Sequence, residues 1–147
     1  MKLIIPVLAI IFIFILSNIF LKQDDTQVID VHQDDFTAAV IVNHLPYFQK
    51  SKIEWWIKNK DSIVEKNHIT PGNEQKTMNY VIYDFGGGYV EEDKKDRLCF
   101  EDMKPPKNCL DKDILMTVMR KREGGTQFIF NDDTYIQDAN GKIYKEK

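Results

Sequence analysis

Two cysteines, three histidines and seven glycines are few for a 147-residue chain, and they are the residues from which metal and phosphate sites are usually built. His32, His44 and His68 lie 12 and 24 residues apart, and no Cys or His pair has metal-ligand spacing. No metal and no cofactor is therefore expected, and the histidines read as ordinary surface or strand-end residues. Ser-x-x-Lys, Gly-x-Ser-x-Gly and Cys/His pairings are missing too, so the chain does not read as an enzyme. Asp84-Phe85-Gly86 matches the kinase metal-binding triplet, but the other kinase motifs and about half of the necessary length are lacking. Gly86-Gly87-Gly88 would cradle phosphate only at the head of a helix, and Tyr89-Val90 after it suggest a strand and hence a hairpin turn. A basic excess is also lacking. Residues 22–147 carry 19 basic and 23 acidic side chains, which argues against a nucleic-acid partner and against a broad polybasic contact with anionic lipid.

What the chain does have is an uncharged run over residues 3–21, LIIPVLAIIFIFILSNIFL. As a helix it would rise about 28 Å, close to the ~30 Å hydrocarbon core of a bilayer. It is expected to be an uncleaved single-pass membrane anchor, with Pro6 tolerated in its first turn. The alternative is a cleaved secretory signal, whose apolar stretch is shorter and ends in small residues; Ser17-Asn18-Ile19-Phe20-Leu21-Lys22 offers no small-x-small pair. Lys2 and the α-amino group precede the run and Lys22 follows it, which weakly favours a domain on the outer face of the bacterial inner membrane. In an oxidising compartment such as the periplasm, Cys99 and Cys109 would close a short loop around Pro105-Pro106; in a reducing one they would be two unrelated thiols. The expected organisation is an anchor over 1–22, a polar linker over 23–27 and a periplasmic domain over 28–147.

Within that domain, 28–31 and 36–42 read as strands joined by a turn at Asp34-Asp35, the second continuous enough to be largely buried. Ser51-Lys52-Ile53-Glu54 has the form of a capping box, and apolar Ile53, Trp56, Ile57, Ile63 and Val64 follow, predicting a helix over about 51–66 with Ile53, Trp56 and Ile57 on its buried face. Pro71-Gly72 marks a loop. Beyond it, 78–85, 98–100, 114–119, 126–130, 134–137 and 142–144 read as strands, with hairpin turns at Glu123-Gly124-Gly125 and at Asn140-Gly141. The fold class expected is α+β: an N-terminal transmembrane helix, then one small domain with a mostly antiparallel sheet and one main helix.

Two features suit a binding surface. Trp55 and Trp56 are adjacent on the helix and about 100° apart, so both cannot enter one core; Trp55 lies either at the core edge or exposed as an interface anchor. The acidic stretch Glu91, Glu92, Asp93, Asp96, Glu101 and Asp102 is interleaved with Lys94, Lys95, Arg97 and Lys104, the pattern of a solvated loop that could carry recognition.

Trp55-Trp56 with Asn59-Lys60-Asp61, Tyr83-Asp84-Phe85-Gly86 with Tyr89, and the block from Asp96-Arg97-Leu98-Cys99-Phe100-Glu101-Asp102-Met103-Lys104 to Lys107-Asn108-Cys109 resemble the enterobacterial domain-of-unknown-function 943 family. Met116-Thr117-Val118 and Gly125-Thr126-Gln127-Phe128 extend the resemblance over nearly the whole chain. The family brings no catalytic residues. The resemblance implies a short membrane protein, and its family context suggests an immunity protein that neutralises a secreted antibacterial effector. A structural or assembly factor of an envelope complex is the alternative. The expected partners are the membrane and a protein, toxin or envelope component.

Overall fold

The protein is described by a computed structural model covering residues 4–22, 25–70 and 77–147. Leu3, Gln23, Asp24 and the Pro71-Gly72 loop lie outside the described residues. The first helix, α1, is Ile4–Lys22. Among the described residues no helix is long and apolar enough to cross a membrane, which overturns the transmembrane anchor expected over 3–21. The physical reason lies at the helix's far end. Ser17 Oγ and Asn18 Nδ2 both donate back to the Phe14 carbonyl, at 2.9 and 2.7 Å, so two polar side chains interrupt the apolar surface there.

The remaining chain builds β1 (Val28–Gln33), β2 (Thr37–Val42), α2 (Gln49–Lys66), β3 (Asn79–Asp84), β4 (Arg97–Cys99), β5 (Cys109–Asp111), β6 (Ile114–Arg120), β7 (Thr126–Ile129), β8 (Thr134–Gln137) and β9 (Ile143–Lys145). Seven of these strands form one sheet in the order β1-β2-β3-β6-β7-β8-β9, and β4 pairs with β5 in a separate hairpin. Every pair in the large sheet is antiparallel except β2–β3. That pair is parallel because α2 lies between the two strands and returns the chain to the end from which β2 started.

The turn into β2 is set by Asp34, whose Oδ1 accepts from the backbone N–H of Phe36 and Thr37, both at 2.7 Å. From Ala38 to Val42 every residue of β2 is then buried. Ala38, Val40 and Val42 face the helix side, where they meet Ile53, Trp56 and Ile63 of α2 with Tyr80, Ile82, Met116, Val118 and Phe128. Ala39 and Ile41 face the other way, toward Tyr83, Phe100 and Leu110. A strand covered on both sides reads as an uninterrupted apolar run, and Ala-Ala-Val-Ile-Val is one.

The helix differs from its sequence reading at two points. It begins at Gln49 with Phe48 as N-cap and no side-chain capping bond, so Ser51 sits inside the first turn and the capping box does not form. Ile57 is 42% exposed, because the buried line runs through Ile53, Trp56 and Ile63, and Ile57 lies about 100° further round than Trp56.

One glycine is required by the packing. Gly125 closes the β6–β7 turn at φ +90°, and a Cβ there would collide with the Gln137 carbonyl of β8. Gly124 has the same φ but open space around it. We predict that Gly125→Ala costs on the order of 1–3 kcal/mol and lowers the melting temperature by several degrees. Gly124→Ala should cost less, and calorimetry on the two variants separates the collision from the backbone strain they share.

Candidate recognition site

The acidic stretch is held by a hairpin too short to hold itself. β4 and β5 pair over three residues each, and Cys99 and Cys109 face one another across them in a disulfide. The loop between them folds onto its own ends: the Phe100 N–H donates to the Asn108 carbonyl at 2.9 Å, and Asn108 Nδ2 donates to the Phe100 carbonyl at 3.1 Å. Val90 bridges to Cys109 beside it, which is all that forms of the strand expected at Tyr89-Val90. Arg97 gathers the outer edge, donating to Asp111 Oδ1 at 2.8 Å and pairing with Asp93 at 2.5 Å. The bond from the Lys95 N–H, followed by the Arg97 guanidinium, holds the Asp93 carboxyl below the usual carboxylate range.

The hairpin is fixed to the sheet through His32. This residue lies on β1 and is only 6% exposed, the one polar side chain buried among the described residues. The Phe100 ring stacks on the imidazole, with centroids 3.8 Å apart and planes 17° from parallel. Nδ1 faces both Asp102 oxygens, at 2.9 and 2.8 Å. Nε2 lies 2.9 Å from the Tyr89 hydroxyl, and that hydroxyl donates to Asp30 Oδ2 at 2.9 Å. Since Tyr89 has a single proton and gives it to Asp30, its oxygen accepts from His32. Both ring nitrogens therefore face acceptors. Tyr89 is wedged edge-on between Phe85, His32 and Phe100.

These contacts correct the reading of His32 as an ordinary surface or strand-end histidine. They also divide the expected surface. Trp55 is partly buried at the edge of the helix-side core, so it and the acidic loop lie on opposite sides of the sheet. Within the loop, Asp93 pairs with Arg97, Asp96 with Lys112 and Asp102 with His32. Glu91, Glu92 and Glu101 are exposed and make no ion pair with another described residue. The missed signal was period two in β1: Asp30 and His32 share one face of a strand whose neighbour β2 is buried on both.

The chemistry of the cluster is that of a clamp. Burial, then the hydrogen bond and charge of Asp30 and the charge of Asp102, push the Tyr89 hydroxyl above its ordinary range, the opposite of activation as a nucleophile. A second concavity, of about 560 Å³, opens on the helix side between α2 and the β6–β8 end of the sheet; Trp56, Ile57, Tyr80 and Phe128 line it, with Lys60 and Arg120.

Tyr89 sets a pH dependence whose sign is fixed. Below pH ~10 both folded and unfolded chains keep the phenol proton; above it the unfolded chain releases the proton first, so stability falls as pH rises. Tyr80 and Tyr83 are raised by burial as well and add to the loss. Tyr89→Phe should cost about 1–2 kcal/mol at neutral pH and lose less than the parent between pH 9 and 11, read as urea midpoints.

No curated protein and no solved structure matches the chain. The profile of the DUF943 family, described as enterobacterial putative membrane proteins, matches residues 1–147. Matched along its whole length, from the apolar helix through the disulfide hairpin to the last strand, the chain belongs to the DUF943 family.

Proposed function

We propose that this chain is a binding module that neutralises a secreted antibacterial effector, acting as an immunity protein, and that residues 91–111 present its recognition surface. The observation that carries the reading is the clamp. A disulfide and the Asp102–His32–Tyr89–Asp30 chain hold the hairpin in one conformation, while Glu91, Glu92 and Glu101 stay exposed. A surface ordered beforehand loses less entropy on binding, and three exposed carboxylates without an ion-pair partner among the described residues steer toward a basic partner and away from acidic ones. The disulfide supports placement of the domain in the periplasm, because such bonds persist in oxidising compartments.

The test is co-expression with the product of the adjacent gene directed to the periplasm. The reading expects that product to be toxic alone and harmless with this chain. Changing Glu91, Glu92 and Glu101 together to Lys should abolish protection, with the melting temperature within a few degrees of the parent. An adjacent product that is never toxic, or full protection by the charge-reversed variant, contradicts the proposal. Recovery of a resident envelope complex in cross-linking is the result expected of an assembly factor.

A further inference from the structure

Outside α1, an exposed aromatic pair stands just before α2. Tyr47 is 83% exposed and Phe48 59%, their rings packed edge to face with centroids 5.3 Å apart. The loop that carries them is well anchored: Leu45 packs on the helix-side core and Pro46 is buried. The two rings therefore point outward from a fixed base. Isolated exposed apolar residues are common, but two adjacent aromatics held on an anchored loop are a surface in need of a cover.

The path of the chain indicates what covers it. Residues 25–27 are tied to Asn43: the Gln27 N–H donates to Asn43 Oδ1 at 2.8 Å, Asn43 N–H to the Gln27 carbonyl at 3.1 Å, and Asn43 Nδ2 to the Asp25 carbonyl at 3.1 Å. The aromatic pair and the start of the domain thus share one end of the sheet, where β1 begins, β2 ends and α2 starts. Only three Cα steps separate Asp25 from Lys22, the last residue of α1, a reach of at most about 11 Å. Whatever covers α1 is therefore brought up to this end of the domain.

That cover must be apolar. Ile5, Leu8, Ile10, Phe12, Ile13 and Phe14 are each 60–75% exposed on a helix that is apolar on all sides. A helix with no polar face has none to leave in water, and a lipid phase is a cover that suits it. Tyr and Phe rings are favoured at the headgroup level, where the apolar body is buried and a hydroxyl stays wet. With no excess of basic charge on the domain, the contact would be aromatic and apolar in character.

We propose that Tyr47 and Phe48 seat the domain on a phospholipid surface, the same surface that receives α1. The inference is independent of the immunity reading and stands or falls without it. The experiment uses the full chain with Trp55→Phe and either Phe48→Trp or, in the β6–β7 turn at the opposite end of the sheet, Glu123→Trp, bound to phosphatidylcholine/phosphatidylglycerol vesicles. Bromine atoms on the acyl chains near the headgroup quench nearby indole emission. The emission added by Phe48→Trp should fall at least about twofold more in brominated than in unbrominated vesicles, and that added by Glu123→Trp should not. Should Phe48→Trp fail to fold, Tyr47→Trp gives the same reading. Equal quenching at the two positions, or a chain that does not sediment with the vesicles, overturns the proposal.

Discussion

β2 is buried on both faces, and the rest of the domain is arranged around that requirement. Its backbone groups are paired on one side by β1 and on the other by β3, and its apolar side chains on both faces have to be kept from water. On one face the cover is ample: Ile53, Trp56 and Ile63 of α2 share a core with residues of β2, β3, β6 and β7, and truncating the fully buried Trp56 alone would cost about 3–5 kcal/mol. On the other face the cover is the small β4–β5 hairpin, which contributes Phe100 and Leu110.

The asymmetry explains why the polar cluster sits where it does. A hairpin with three residues per strand and three buried side chains does not order itself, since short two-stranded units are marginal in water. The disulfide limits its freedom when unfolded, and the His32 contacts fix its position when folded. The imidazole joins both kinds of interaction, with an apolar stack on its face and hydrogen bonds at its edges. The same side chain that completes the second core layer thereby orders the loop carrying the exposed carboxylates. In the proposed role, stability and recognition share residues: loosening the clamp would weaken binding before it unfolded the sheet.

Much of the domain's architecture was legible because it depends on local pattern. The apolar periodicity of α2 located the helix to within two residues, the continuous 38–42 run marked a buried strand, and Glu123-Gly124-Gly125 and Asn140-Gly141 marked the turns between the later strands. What was not legible depends on partners distant in sequence. His32 meets Asp102 70 residues away and Tyr89 57 away, and nothing in β1 alone names either. The parallel β2–β3 pairing follows from the crossover through α2, which strand patterns do not show. β5 is too short for a periodicity and exists because β4 and the disulfide supply its partner. The N-terminal helix was misread for a different reason: the absence of charge over 3–21 was taken as the measure of apolar length, with little weight given to the polar Ser17 and Asn18 within it.

The central claim is that His32 and Asp102 hold the hairpin as one ordered surface on an otherwise independent sheet. Amide hydrogen exchange on Asp102→Asn with the disulfide intact tests it most directly, because Asn keeps the size of the side chain and removes its charge. The account predicts that the Phe100, Met103 and Cys109 amides, which bond within the hairpin or to Val90, exchange much faster than in the parent, while those of β2 and β3 keep their protection. Unchanged exchange in the hairpin, or loss of protection throughout the sheet, would contradict it.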